Sequence, residues 1–400
     1  MKTQEMIALR LKYESNLMDS IVPFWEKHSP DRKAGGYFTC LDRDGTVFDT
    51  DKFIWMQGRE VWAFSRLYNW ASQASMERRN KWLELAELGA RFLRSNGRAG
   101  NGDWYFAVDR NGKPLVEPYN IFSDYFVTAG LAEFHRASGE KWALELALSS
   151  FSRIQERKAR PKGIWTKQIA ANRSLMAMGI PMMDAWMARE LRGLVEPATL
   201  DALAMAAEGQ VFGFHVDRDR KAVFERVASD GSHPESMDGR LLNPGHALEV
   251  LWFLLRQAAD RSDQERIQEI CEVMLWSASS GWDEQCGGFF YYRDFRGYPT
   301  EKLEADMKLW WVHAEALCAF LLAYKLTGSA EHLAWFERID SYTFTHFPDP
   351  EFGEWYGYLD RGGEVALSLK GGKWKGFFHV PRTLMTCIDW LREMEKTDAR

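Results

Sequence analysis

From Asp263 to Ser279, the apolar residues Ile267, Ile270, Cys271, Met274 and Leu275 fall at i, i+3, i+4, i+7 and i+8 among Asp, Glu, Gln and Arg. That spacing predicts a helix with one apolar stripe and a solvated back. The stretch before it, HALEVLWFLLRQAA from His246, is apolar nearly all round, as is AEALCAFLLAY near 314–324. A helix without a polar face must be covered on every side. Alternation of the two kinds predicts twelve helices, at about 4–27, 55–73, 77–95, 120–138, 140–158, 180–193, 196–212, 244–259, 263–279, 307–327, 329–346 and 381–395. They pair as outer and inner members.

Six glycine-led, aromatic-rich turns separate the pairs: GGYFTCLDRDG from Gly35, GDWYFAVDRNG from Gly102, a degenerate GIWTKQIAANR from Gly163, GFHVDRDRKAV from Gly213, GGFFYYRDFRG from Gly287 and GEWYGYLDRGG from Gly353. Their mean spacing of about 64 residues accommodates a short hairpin and two helices. Alternating aromatics read as strands, and the D-R-x-G ends as turn chemistry with Gly supplying positive φ. Six helix pairs predict an all-α (α/α)6 barrel with short β-hairpins in the loops, whose inner helices end around a central cleft. An open helical solenoid is the competing arrangement.

Composition narrows the class. With 46% hydrophobic residues and 18 Trp, the 400 residues can bury a large core, and no Pro/Gly/Ser linker interrupts the repeat, so 1–400 reads as a single catalytic domain. A net charge of −6, without basic clusters, argues against nucleic-acid and membrane partners. Five Cys without a C-x-x-C read as reduced thiols of a cytoplasmic protein, and the N-terminal stretch as an amphipathic helix, not a signal peptide.

Polar residues on all-apolar helices carry the chemistry, because burying them costs free energy unless they are paired or used. Arg59 opens an inner helix beside Glu60, and a structural salt bridge competes with a functional role. In LNPGHALEVLW, Asn243 caps, Pro244 takes the first helical position and His246 lies in the first turn with Glu249 on the same face. The positive end of the helix dipole is expected to keep His246 a neutral base. Trp311 and Glu315, four apart, suit a sugar ring: an aromatic plane beside a carboxylate. His313 is expected to point elsewhere. His379 and Arg382 open the last inner helix. GGKWKG is not a phosphate-binding loop, and the scattered His do not suggest a metal site. Glu249 and Glu315 as a glycosidase pair keep hydrolysis open as a competing reaction.

GGYFTCLDRDGTVFDTDKFIWMQGREVW, NPGHALEVLWFLL, KLWWVHAEA and PEFGEWYGYLDRGGEVALSLKGGKWKGFFHVPR together make the chain resemble, over essentially its whole length, the N-acylglucosamine 2-epimerases, a group that includes a renin-binding protein. The resemblance implies an (α/α)6 barrel that interconverts the C2 epimers of an aldose, typically N-acetylglucosamine and N-acetylmannosamine. It also implies two acid/base histidines, by position His246 and His379. Arg59, Glu249, Glu315 and Arg382 match the family's pocket residues, and Trp311 its aromatic wall. After ring opening, one histidine would take the C2 proton and the other return one to the opposite face of an enediolate. Arg59 would stabilise the enediolate oxygen, Glu249 orient His246 or a sugar hydroxyl, and Glu315 bind hydroxyls or assist ring opening.

Two departures shape the expectation. Related cellobiose 2-epimerases carry N-x-H-x-x-E-A where this chain has GIPMMDAW, which favours a monosaccharide. The acyl-glucosamine enzymes often have an N-R-P-L-K-G loop associated with ATP as an activator. Here NRSLMAMGIP from Asn172 puts Met176 where Lys is expected, which argues against ATP regulation. No cofactor is required by this chemistry. Other readings are an epimerase or aldose-ketose isomerase for a non-acylated sugar such as mannose, or a protein-binding barrel. Family members are commonly homodimers.

Overall fold

Inner helices buried on every face can exist only if something wraps them, and the computed structural model shows the wrapping. It describes residues 1–159, 172 and 174–398. The twelve helices are α1 (3–28), α2 (Ile54–Trp70), α3 (Met76–Asn96), α4 (Phe122–Ser138), α5 (Lys141–Ala159), α6 (Gly179–Glu190), α7 (197–215), α8 (Pro244–Asp260), α9 (Gln264–Gly281), α10 (Trp310–Thr327), α11 (Ala330–His346) and α12 (His379–Asp398). Even-numbered helices form the inner ring. Each packs on the next, from α2 through α4, α6, α8 and α10 to α12, and α12 returns to α2. Odd-numbered helices lie outside, with α1 against α12. The ring is therefore a closed (α/α)6 barrel and not an open solenoid.

Closure rests on apolar burial. In α10 every residue from Trp310 to Ala323 is buried, whereas α9 buries one stripe that includes Ile267, Ile270, Cys271 and Met274. Trp25, Trp82, Trp104 and Trp355 are fully buried, and truncating one such ring to Ala costs about 3–5 kcal/mol. At the α2–α4 crossing two glycines allow close approach: a Cβ on Gly130 would stand 2.4 Å from the Gly58 carbonyl oxygen. That contact seats Arg59 of α2 directly beside α4.

The hairpins are smaller than their sequence signature suggests, with strands of two or three residues. Most pairing runs between turns. Lys52–Phe53, which leads into α2, pairs with Ala107–Val108 of the second turn; Leu241–Leu242, before α8, pairs with Arg293–Asp294; Lys308–Leu309, before α10, pairs with Tyr358–Leu359. The copy from Gly213 starts inside a helical π-turn (Val211–His215) before its hairpin begins. The degenerate copy from Gly163 lies outside the described residues except for Asn172.

Ion pairs staple neighbouring turns at three junctions, first to second, fifth to sixth and sixth back to first. Asp31 takes the fully buried Lys52 (3.1 Å) and Arg110 (2.8 Å); Asp283 takes Lys308 (3.1 Å) and Arg361 (2.9 Å); Asp349 takes Lys370 (2.9 Å) and Arg43 (2.8 Å). The arginines are those of the D-R-x-G motifs, so the motif does more than turn the chain. Arg43 and Asp349 join the first turn to the last. A π-bulge in α1 (Asn16–Ile21) adds a second tie at the same seam, where Trp355 Nε1 donates to Asn16 Oδ1 at 2.9 Å.

Candidate active site

The first turns of all six inner helices converge on a cavity of about 760 Å³. Arg59 enters from α2, Phe126 from α4, Met182, Met183 and Trp186 from α6, His246 and Glu249 from α8, Trp310 and Trp311 from α10, and His379 and Arg382 from α12. Trp55, Tyr291, Tyr358 and Trp374 contribute to the rest of its wall. Of the residues expected at the site, Glu315 alone does not line the cavity.

Local sequence explains how His246 is held. Asn243 Oδ1 accepts the His246 backbone N–H at 3.1 Å, and Pro244 fills the first helical position. Gly245 leaves room for a neighbour, since a Cβ there would lie 2.6 Å from the Trp311 ring. Trp311 can thus touch both histidines, its centroid 5.2 Å from the His246 ring and 5.9 Å from that of His379.

Glu249 is expected to orient His246 or a sugar hydroxyl; it lines the cavity, but the carboxylate on His246 is Glu225, whose two oxygens lie 3.0 and 3.1 Å from Nδ1. Glu225 sits on the strand Arg226–Ala228's leading edge, where Phe224 turns into a small apolar cluster with Val227 and Leu242. No motif or spacing marked Glu225 in the sequence: it lies in the bend between the strands Ala222–Val223 and Arg226–Ala228, where no periodicity applies. Burial alone favours the neutral imidazole of His246, but the Glu225 carboxylate outweighs it, and the net displacement of its pKa is upward. Against the dipole expected to keep His246 neutral, the carboxylate in contact therefore biases it toward its imidazolium.

His379 has the opposite bias. Its Nδ1 meets Glu315 Oε1 at 2.7 Å, yet burial first, then the Arg59 and Arg382 charges, hold it well below the usual histidine range. Glu315 is fully buried behind His379 and also accepts from Arg382 Nη2 (2.7 Å) and Trp252 Nε1 (2.9 Å). It stands behind His379 and does not line the cavity, which corrects the expectation that it would meet sugar hydroxyls directly. Arg382 Nη2 bridges Glu315 and Glu249, the latter at 2.5 Å. Glu249, Glu315 and His379 could offer three ligand atoms within 4.8 Å of one another, but this guanidinium already sits on both carboxylates. Two acids tied to one arginine on one side of the cavity also cannot flank a glycosidic bond, so the hydrolase arrangement is not formed.

Arg59 makes no ion pair with a described residue. Its guanidinium carbon lies 4.0 Å from the Phe126 centroid and 4.5 Å from that of Trp55, and Nη1 donates to the Trp374 carbonyl at 3.4 Å. Burial lowers its pKa to about 9, which leaves it cationic at neutral pH. The alternative Arg59–Glu60 salt bridge is absent, and Glu60 is fully buried away from the cavity lining with its carboxyl pushed well above the usual range by burial. His313 lies outside the cavity, as expected, accepting from the Phe289 N–H at 3.0 Å. Met176, at the position where a lysine would mark a nucleotide loop, lies on a strand (Leu175–Ala177) paired with Arg226–Ala228 and packs against a small apolar cluster that includes Phe224 and Val227.

Residues 36–382 match the family described as N-acylglucosamine 2-epimerase (GlcNAc 2-epimerase). The bovine N-acylglucosamine 2-epimerase is 39% identical over 98% of this chain and 94% of its own length. Among solved structures, cellobiose 2-epimerase from Spirochaeta thermophila superposes with a TM-score of 0.80 at 22% identity, covering 98% of each chain. A D-mannose isomerase superposes with a TM-score of 0.77 at 16% identity, covering 96% of this chain and 97% of the other. These two share the fold.

Proposed function

Since the chain belongs to the N-acylglucosamine 2-epimerase family and so to the carbohydrate epimerases, we propose that it interconverts N-acetylglucosamine and N-acetylmannosamine, with His246 and His379 moving the C2 proton. One observation carries the reading: two histidines, His379 buried and His246 partly exposed to the cavity, line one pocket, each with Nδ1 on a carboxylate and both against Trp311. With Nδ1 so engaged, Nε2 of each ring is the nitrogen left to exchange a proton with a substrate.

A closed pyranose has no acidic C2–H. Ring opening moves a proton from the anomeric hydroxyl to the ring oxygen, and the aldehyde so exposed acidifies C2. His379, biased toward its neutral form, removes the C2 proton from one face; His246, biased toward its imidazolium, returns one to the other. Arg59, a cation with no carboxylate of its own, stabilises negative charge developing on the enediolate oxygen. Trp311 supplies an apolar face for the sugar's C–H groups. One proton replaces another, and no oxidation state changes.

Incubation in D2O with N-acetylmannosamine, mannose and cellobiose in turn, followed by proton NMR, tests this. The expected product is N-acetylglucosamine carrying deuterium at C2. Conversion of mannose in preference would move the assignment to a non-acylated aldose, and a ketose product to isomerisation at C1. Methyl glycosides, locked closed, should be inert; their epimerisation would overturn the enediolate route.

A further inference from the structure

Glu225 belongs to none of the motifs that carry the family resemblance, yet its backbone is fixed where three elements meet. Its N–H donates to the Leu241 carbonyl, on the strand leading into α8, and its C=O accepts from the Met178 N–H at the start of α6. Its side chain then has one destination, His246 Nδ1, with both oxygens within 3.1 Å. Glu315, the corresponding carboxylate of His379, is divided among His379, Arg382 and Trp252. The two histidines therefore receive unequal shares of negative charge. The other charged or titratable groups lining the cavity with His246 are Arg59 on α2, Glu249 on its own helix, Tyr291 and Glu304 on the loop before α10, Tyr119, Tyr358, and His379 and Arg382 on α12.

We propose, building on the epimerase reading, that Glu225 is the positioning residue that makes His246 the proton donor of the resting site and leaves His379 as the resting base. The direction of turnover that starts with abstraction by His379 then uses the enzyme as it rests. The reverse direction must start from the other protonation state, which each turnover leaves behind and which solvent exchange must restore. Atoms balance: His379 gains the C2 proton, His246 loses one to the opposite face of C2, and the swap is undone by water.

The test separates this from the function assigned above, because its first readout needs no substrate. Protein with 15N-labelled histidine is titrated by NMR, with His246 assigned by its loss in His246→Asn. In the wild-type enzyme His246 should be cationic at pH 6.5, half-titrating above that value, while His379 stays neutral. In Glu225→Gln, which keeps the shape and the backbone bonds, the His246 midpoint should fall by about one pH unit or more, a tenfold change in protonation equilibrium. The alkaline limb of kcat for C2 deuterium exchange should move down by the same amount, because a donor is lost as pH rises through its pKa, with KM little changed. Glu225→Asp should recover part of both shifts. A His246 that is neutral at pH 6.5 in the wild type, or a midpoint unmoved in Glu225→Gln, overturns the proposal even if activity falls. Failure of every sugar to exchange would instead overturn the epimerase reading and leave the titration result standing.

Discussion

His246 and His379 bring the same side chain into one cavity and leave with opposite charge preferences, because one has a carboxylate to itself and the other shares its own with an arginine and lies near a second guanidinium. Replacing either by Asn should lower epimerisation by about 10²–10⁴, the usual worth of a positioned acid or base. Each single variant should keep its circular dichroism spectrum, and one should still exchange the C2 proton of one epimer without inverting it. Normal turnover in both would end the assignment. Gly245 makes a sharper test of geometry, since it lies beside His246 and carries no functional group of its own. In Gly245→Ala the methyl group meets the Trp311 ring at 2.6 Å. The expected result is a fall in kcat of tenfold or more as the clash displaces Trp311 and with it the histidines, on the scale at which ~1 Å errors matter, together with an overpacking loss of about 1–3 kcal/mol in stability. Unchanged kinetics would show that Trp311 does not brace the histidines.

Helices were readable from period alone, and α8 and α9 begin and end within two residues of where polarity places them, because an all-apolar helix and a striped one leave different records in the chain. Strand pairing left a poorer record. The turns look like hairpins, yet Lys52, Lys308 and Lys370 are drawn into pairing and ion pairs with neighbouring turns, a relation that depends on the ring and not on local spacing. For the same reason Glu225 was invisible while His246, Trp311 and His379 were not: capping and helical periodicity mark the latter, whereas a residue in the bend between two strands, 21 positions away, acquires its role only in three dimensions. The strand Leu175–Ala177 bears on regulation. With Met176 packed against a small apolar cluster where a phosphate-binding lysine would be needed, initial rates with and without ATP should agree within about a factor of a few, less than ~1.4 kcal/mol of coupling. A hundredfold requirement would show that a nucleotide binds elsewhere.

Across the whole molecule, the ring is held shut where its first and last turns meet. Asp349→Ala would leave Lys370 fully buried without its carboxylate, and should cost about 3–5 kcal/mol in urea unfolding. Arg43→Ala, which removes a half-exposed partner, should cost about 1 kcal/mol or less; equal losses would refute the burial argument. Acid should act on all three staples. Burial alone would raise Asp31, Asp283 and Asp349, but their Arg and Lys partners win, and each carboxyl is held far below its ordinary value. A depressed folded-state pKa contributes stability that is complete above the unfolded value near 3.8 and is lost as pH falls below it. Unfolding midpoints should hold from about pH 7 to 5 and drop steeply below about 4, and a flat profile to pH 3 would contradict the staples.

The seam between Arg43 and Asp349 also orders events in time. During synthesis the early helix pairs can stack as they leave the ribosome, each on its predecessor, but an arc has no cavity floor and no partner for Asp349's arginine until the last turn arrives. His379 and Arg382 come later still. A growing chain is thus chemically silent through most of its translation, and its first competent moment coincides with the closing of the circle.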